Sequence, residues 1–521
     1  MSRNPVHILL ALAFLLSAGL SCSRMSRVNE RPFEVVFLHI NDVYEIAPLH
    51  GRGGLARVAG LYQQLKTRNP NTLFILAGDF ISPSVLGTLR HQGKRIKGHH
   101  MVETLNAAGL QYVVFGNHEF DYDEADLQER LNESDFVWLG ANARQVTPNG
   151  PAPFAKIRDD QSYPCPDHVA LTLRDAGGRS LRLGMLGVLV NKGRKDYVTY
   201  TNWKEAAQTS LEILRPQTDV IVALTHLNKA NDRLFAAAFP EIPLIMGGHD
   251  HENMIEHIGP VTLAKADANA STAYVHTLSY DPRSKRTQIR SELVIIDDQI
   301  PEDPATAAVA AKWLQTGRQA LAENGINYDA EITTLTRPLD CREALIRHQQ
   351  APVGDLLTEA MTAASRHNAE CAVFNSGAIR IDDVMNGKIS EYEVARMLPF
   401  GGSVSDVEMR GAMLRRMLDT GLKNKGNGGY LQYGKRIVRQ NENWLINGKT
   451  LDDQSSYRVT LPDYMLDIGD QNLEFVKAKN TKAPLTDNPG IPRRYASNPK
   501  EQSDLRRDIR LILIDYWKKN G

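Results

Sequence analysis

Cysteine is scarce, with four in 521 residues. A chain this long with so few crosslinking positions is not a disulfide framework, and its fold must rest on buried apolar cores. Charge of one sign is missing as well, since 61 Lys and Arg balance 61 Asp and Glu. That leaves no electrostatic footprint for a nucleic-acid polymer or an acidic lipid surface. The apolar run from Ile8 to Leu20 falls short of the roughly 20 residues that a spanning helix needs. Hydrophobic residues at 42% and charged residues at 23% exclude a disordered, fibrous or multi-spanning chain. The length exceeds one compact core and suits two domains, or three small ones.

The first feature present is an address. Arg3 and the free amine precede the apolar run, which ends in Ser17-Ala18-Gly19-Leu20-Ser21-Cys22. A basic start, a short apolar stretch and small residues read as a secretory signal peptide over residues 1–22. Cys22 after small residues resembles the lipobox of bacterial lipoproteins, although Gly19 and Leu20 are not the usual pair. Cleavage without a lipid is the alternative. The expectation is export to a periplasm or cell envelope, with membrane attachment through a lipid on Cys22. Cys165, Cys341 and Cys371 then face an oxidising compartment, where they form at most one bridge or serve as small core residues.

From Phe33 onward, apolar runs alternate with helical patterns. Strands are expected at Phe33–Ile40, Thr72–Ala77, Tyr112–Phe115, Leu181–Val190, Val220–Leu224 and Pro243–Met246, and helices at Leu55–Lys66 and Met101–Ala108. Buried sheets covered by helices, an α/β or mixed α+β class, follow from that alternation. A domain is expected over 33–300. Asp303-Pro304 is an N-cap with Pro at the first helical position, opening a connecting helix to Gly325. A second unit over 330–521 carries expected strands at Ala372–Phe374 and Tyr457–Leu461, helices at Leu356–Ser365 and Asp406–Thr420, and a surface helix over Leu505–Trp517. Arg90–His100 reads as a solvated loop.

Polar residues gather directly after the strand ends: Asn41-Asp42-Val43-Tyr44, Gly78-Asp79, Gly116-Asn117-His118-Glu119 with Asp121, Thr225-His226, and Gly247-Gly248-His249-Asp250-His251. Ligand crevices in open α/β sheets lie at the carboxyl ends of the strands. Singly, each cluster is an ordinary cap or a hydrogen-bonded histidine. Together they offer carboxylates, an amide oxygen and imidazoles, a donor set for Mn²⁺, Zn²⁺, Fe or Mg²⁺. His249 and His251, two apart, share a face in extended chain. A pair of metal ions needs a shared ligand, and Asp79 is the candidate.

In their order, these clusters resemble the calcineurin-like metallophosphoesterases, specifically the two-domain 5'-nucleotidase and UDP-sugar hydrolase family. Gly116-Asn117-His118-Glu119-Phe120-Asp121 is the most specific of them. The resemblance implies a four-layer αββα N-terminal domain and a C-terminal 5'-nucleotidase domain, also αββα. It implies two metal ions: Asp42, Asp79 and His251 would hold one, with Tyr44 where the family has a histidine, and Asp79, Asn117, His226 and His249 the other. His118 would be the catalytic histidine near the leaving group, oriented by Asp121. A neutral tyrosine is a poor ligand for Zn²⁺ or Mn²⁺. Three readings of Tyr44 therefore stand: a weakly held metal with water in the gap, a phenolate favouring Fe³⁺, or a site that has lost one metal.

The second unit resembles the family's substrate domain. Asn375-Ser376-Gly377-Ala378-Ile379-Arg380 matches an Asn-x-Gly-Gly-x-Arg loop, Phe400 and Tyr464 fall where two aromatics hold the base, and Asp470 where ribose hydroxyls bind. Arg347 is a further substrate-binding position. Arginine forks suit phosphate oxygens, and base stacking contributes about 1–3 kcal/mol per base. As alternatives, Phe400 and Tyr464 could be core aromatics and the two arginines solvated. Gln350 replaces the family's Glu, and Ile468-Gly469-Asp470-Gln471-Asn472 departs from its Gly-Gly-Asp-Gly-Phe tail. The expected function is hydrolysis of nucleotide phosphate esters. Alternatives are a 2',3'-cyclic nucleotide, a UDP-sugar or a thiosulfate-type substrate, or a nucleotide-binding lipoprotein with a decayed centre. No protein partner is inferred.

Overall fold

The computed structural model describes residues 31–520 apart from 92, 193 and 194. The signal peptide and Cys22 lie outside the described residues. Two six-stranded sheets form the first unit. One runs Arg286–Ile295, Thr272–Asp281, Phe33–Ile40, Thr72–Leu76, Tyr112–Val114, Val137–Leu139; the other His168–Arg174, Ser180–Leu189, Val220–His226, Leu244–Gly247, Val261–Lys265, Met254–Ile258. The central strands of each are parallel, and their near-continuous burial follows from cover on both faces. Val35, Phe37, Ile75 and Val114 meet Leu183, Met185, Val222 and Leu224 in the core between the sheets.

Helices cover the outer faces. Leu55–Arg68 and His99–Ala108 pack on the first sheet, Trp203–Leu214 and Lys229–Ala238 on the second. Four layers result, αββα, and all the polar clusters emerge at the carboxyl ends of parallel strands. Pro304–Glu323 is helical, and the Asp303 carboxylate accepts from Thr306 N at 2.9 Å. This helix packs on the first unit, where Trp313 Nε1 donates to Glu103 at 2.8 Å.

The second unit carries a six-stranded sheet, ordered Cys371–Ala372, Ser456–Pro462, Val404–Arg410, Arg493–Tyr495, Leu485–Thr486, Asn480–Lys482. Beside it stands an antiparallel ladder of Glu331–Asp340 with Val384–Ser390. Helices Pro352–Ala363, Gly411–Lys423 and Ile509–Asn520 pack around them.

Three expectations need correction. Val404–Arg410 is a strand paired with Ser456–Pro462, and the helix begins only at Gly411. The Val407-Glu408-Met409 alternation obeys a period of two, which cross-strand pairing exploits. Leu505–Trp517 is not a surface helix: Ile509–Ile514 and Trp517 are buried. Its arginines enter because Arg506 meets Asp406 at 2.9 Å and Arg510 meets Asp508 at 2.6 Å. The Arg90–His100 stretch ends inside a helix, with His100 buried against Ser84 Oγ at 3.1 Å. Cys165, Cys341 and Cys371 are all buried and unbridged. Among the described residues no helix is long and apolar enough to cross a membrane.

Candidate metal centre and substrate cleft

Three of the ligand candidates sit on backbone that side chains rarely adopt: φ is +53° at Asp42, +54° at Asp79 and +75° at His249. Left-handed backbone at a non-glycine residue costs of order 1–3 kcal/mol and is held only where neighbours over-determine it. Hydrogen bonds supply that constraint. Asp42 N donates to Gly78 O at 3.1 Å and Val43 N to Asp79 O at 2.9 Å. Glycine is required at Gly116 and Gly248, where a Cβ would lie 2.0 Å from Asp79 Oδ1 and 2.1 Å from Ala77 O.

The side chains converge. Asp79 Oδ2 is 2.9 Å from His226 Nε2. Ligand atoms of Asp79, His226 and His249 all lie within 4.8 Å of one another. His226 Nδ1 donates to Ala77 O at 2.7 Å, which turns Nε2 towards the carboxylate. Asp42 Oδ2 accepts from Asn41 Nδ2 at 2.8 Å and His249 N at 2.9 Å. On its other side, Asp42 Oδ1 is 3.6 Å from His251 Nε2. Tyr44 is buried with its hydroxyl 3.3 Å from the same nitrogen.

Buried polar atoms are nearly always hydrogen-bonded. Here Asp42 Oδ1 and Asn117 Oδ1 are buried without a hydrogen-bond partner, and both belong to the expected ligand set. A carboxylate and two imidazoles within 4.8 Å of one another form a donor set that suits divalent cations.

The charges are balanced by proximity. Burial opposes ionisation of Asp79, yet His226 and His118 hold its pKa well below the ordinary carboxylate range. Burial likewise opposes a charged His226, and Asp79 outweighs it to bring the pKa to about 9. Burial pushes Asp42 upward, against His226 and His251. Burial first, and then Asp79 and Asp42, hold the Tyr44 phenol well above its usual value. A bound cation reverses such a local field.

His118 stands beside this set. Its backbone N donates to Asp79 Oδ1 at 2.8 Å and its Nδ1 to Asp121 Oδ2 at 2.8 Å. Ser82 Oγ donates to Asp121 Oδ2 at 2.9 Å. Burial disfavours the imidazolium, but Asp121 and Asp79 raise its pKa above the ordinary value. Arg380 of the second unit lies against the ring, Nη2 being 3.1 Å from Nδ1 and 3.4 Å from Nε2.

Arg347 and Arg380 are not solvated: their side chains are 13% and 11% exposed and share Glu343. Both line the cleft in front of His118, together with Lys192. Phe400 and Tyr464 are 57% and 49% exposed, so neither is a core aromatic. They line two separate cavities. That of Tyr464 and Asp470 shares Arg347 and Lys192 with the His118 cleft, and that of Phe400 shares Asp121 and Arg380. Asn375 is buried at the foot of the arginine loop, its Oδ1 unpartnered.

Several supporting residues had no role assigned in the sequence reading. Glu119 is buried and accepts from Asp79 N at 3.0 Å, Phe80 N at 2.8 Å and Gly116 N at 2.6 Å, tying two strand-end loops together. Burial, reinforced by Asp79, raises it to about 7. Lys265 is buried behind the histidine loop, 2.7 Å from Asp232 and 2.6 Å from Asp250, and donates to Gly248 O at 2.7 Å. Glu119 lies within the Gly-Asn-His-Glu run, which was its only signal. Lys265 had none, because its partners are distant in sequence.

Known proteins place this geometry. Residues 35–253 match the calcineurin-like phosphoesterase model and residues 331–478 the 5'-nucleotidase C-terminal domain. A human 5'-nucleotidase is 25% identical over 482 residues, covering 83% of this chain and 78% of that protein. A 5'-nucleotidase precursor from Thermus thermophilus shares the fold, with TM-score 0.65, 19% identity, and 94% and 97% of the two chains covered. A sulfate thiohydrolase from the same organism does so at TM-score 0.59, with 14% identity and 94% of each chain covered. The chain belongs to the two-domain 5'-nucleotidase family of calcineurin-like metallophosphoesterases, which are phosphoester hydrolases.

Proposed function

We propose that this protein is an exported, dinuclear-metal phosphoesterase of 5'-nucleotidase type. One observation carries the reading: the ligand atoms of Asp79, His226 and His249 lie within 4.8 Å of one another, and two further candidate ligand oxygens, Asp42 Oδ1 and Asn117 Oδ1, are buried and unpartnered. Asp42, Tyr44, Asp79 and His251 would hold one divalent cation and Asp79, Asn117, His226 and His249 the other. When bound, the pair supplies a water of lowered pKa and neutralises charge on the phosphoryl oxygens.

The chain's own residues do the rest. His118, held by Asp121 at 2.8 Å, is placed to give a proton to the leaving alcohol or to stabilise charge on it. Arg347 and Arg380 present planar donors to phosphate oxygens. Phe400 and Tyr464 offer exposed faces to a base, Asn375 shapes the loop that carries Arg380, and Asp470 would accept from ribose hydroxyls. The units would meet about the Asp303–Gly325 segment, with the first domain over 33–300 and the second over 330–521.

Tyr44 at a ligand position, and the placement of Phe400 and Tyr464 in separate cavities, favour a second reading. In it the substrate is another phosphoester, a 2',3'-cyclic nucleotide or a UDP-sugar. The test is elemental analysis of the purified protein beside phosphate release from AMP and an aryl phosphate, with chromatography of the products from a 2',3'-cyclic nucleotide and a UDP-sugar, whose cleavage leaves the phosphate on a nucleotide or sugar. Release should require metal and vanish in Asp79→Asn. Activity indifferent to both chelators and that substitution refutes the reading, and activity confined to cyclic nucleotides or sugar esters selects the second.

A further inference from the structure

We propose that Asp382, in the second unit, is a positioning residue for the metal centre in the first, so that cation binding through His251 and closure of the two units form one linked equilibrium. The inference rests on the phosphoesterase reading above.

An imidazole has two nitrogens facing opposite ways. Nε2 of His251 faces the ligand set, 3.6 Å from Asp42 Oδ1 and 3.3 Å from the Tyr44 hydroxyl. Nδ1 points away from it, and there the Asp382 carboxylate stands at 3.2 Å. A histidine that coordinates through one nitrogen needs the proton on the other, and a carboxylate that accepts it fixes both tautomer and ring orientation. His226 obtains this from within its own unit, through Ala77 O at 2.7 Å. His251 obtains it from across the boundary.

Asp382 is itself held for the purpose. Its Oδ1 accepts from Glu343 N at 2.6 Å, and its backbone is left-handed, at φ +44°. Glu343 also pairs with Arg347 and, at 3.4 Å, with Arg380. The loops that bring the two arginines to the cleft therefore bring Asp382 to His251 in the same movement. Were the units to part, His251 would lose its acceptor while His226 kept its own. By reciprocity, a cation that binds better to the closed form favours closure by the same factor.

The test uses the full chain. Wild type, Asp382→Ala, Asp382→Asn and Thr88→Val are titrated with Mn²⁺ by calorimetry, and their radius of gyration is followed by X-ray scattering. Thr88 Oγ1 donates to Pro399 O across the same boundary at 2.8 Å, and neither residue is a candidate ligand. In Asp382→Ala the weaker Mn²⁺ site should lose about 10–100-fold in affinity. The tighter site should be unchanged, and Mn²⁺ should no longer contract the molecule. Asp382→Asn, whose amide oxygen still accepts from Nδ1, should fall between, and Thr88→Val, which weakens closure without touching His251, should lose less than Asp382→Ala and still contract with Mn²⁺. Two wild-type affinities in Asp382→Ala, or equal losses in Asp382→Ala and Thr88→Val, would overturn the inference while leaving the phosphoesterase reading intact. A wild type that binds no cation overturns both.

Discussion

The Tyr392 hydroxyl donates to Glu45 Oε2 at 2.6 Å across the boundary between the units, and both side chains are buried. Arg396 Nε lies 3.3 Å from the other carboxylate oxygen, and the Tyr328 ring packs on Tyr392 with centroids 4.1 Å apart. Glu45 directly follows Tyr44, so this network anchors the loop that carries Asp42.

Cutting that anchor should destabilise the fold. Tyr392→Phe leaves a buried carboxylate oxygen without its donor, at about 1–3 kcal/mol. Arg396→Met strips the charge partner and should cost more, about 3–5 kcal/mol. Urea denaturation of both variants checks the order, and a smaller loss in Arg396→Met than in Tyr392→Phe would be the contrary result.

His118→Asn should lower kcat by roughly 10²–10⁴, the usual range for a positioned acid or base. The loss should be larger for AMP, whose alkoxide leaves poorly without a proton, than for an aryl phosphate with a stable phenolate. Metal content should not change. Steady-state kinetics on both substrates, with elemental analysis, decide this; equal losses would remove His118 from the leaving group.

Restoring an imidazole where Tyr44 stands should tighten the weaker cation site. The hydroxyl already lies 3.3 Å from His251 Nε2, so the position faces the ligand set. A Tyr44→His variant should retain more metal through dialysis than wild type, as elemental analysis would read. Equal retention would show that the first site does not draw on this position.

Acid should unfold the protein through buried histidines that are not candidate ligands. His39 and His100 are buried, and burial lowers the pKa of each from 6.5 to about 3. His276, 3.4 Å from His39, is likewise lowered by burial. The unfolded chain therefore binds protons that the folded one refuses. Stability is full above about pH 6.5 and falls as pH drops towards 3, by up to about 1.4 kcal/mol per pH unit for each group. Denaturation midpoints measured from pH 7 to 4 should fall, and less steeply in His100→Gln.

Much of the candidate site is legible because its residues follow strand ends in one order, and parallel strands carry their carboxyl ends to one edge. The central strands announced themselves as continuous apolar runs such as Phe33–Ile40. Legibility failed where a long-range partner decides the outcome. Arg506 and Arg510 made the last segment look like a surface helix, until Asp406, Asp504 and Asp508 accounted for their charge. Val404–Arg410 needed the Ser456–Pro462 strand beside it to reveal its period. Asp382 and Glu45 carried no local signal at all, since each acquires meaning only from a residue of the other unit.

The left-handed backbone at Asp42, Asp79 and His249 also bears on how this protein would respond to engineering. Glycine tolerates that conformation better than aspartate or histidine does. A library selected for thermal survival alone would be drawn to these three positions, where the proposed ligands would be lost. On the ligand roles proposed above, catalytic competence and heat resistance pull in opposite directions at the same few peptide units, and a stabilisation campaign would hold them constant and look elsewhere.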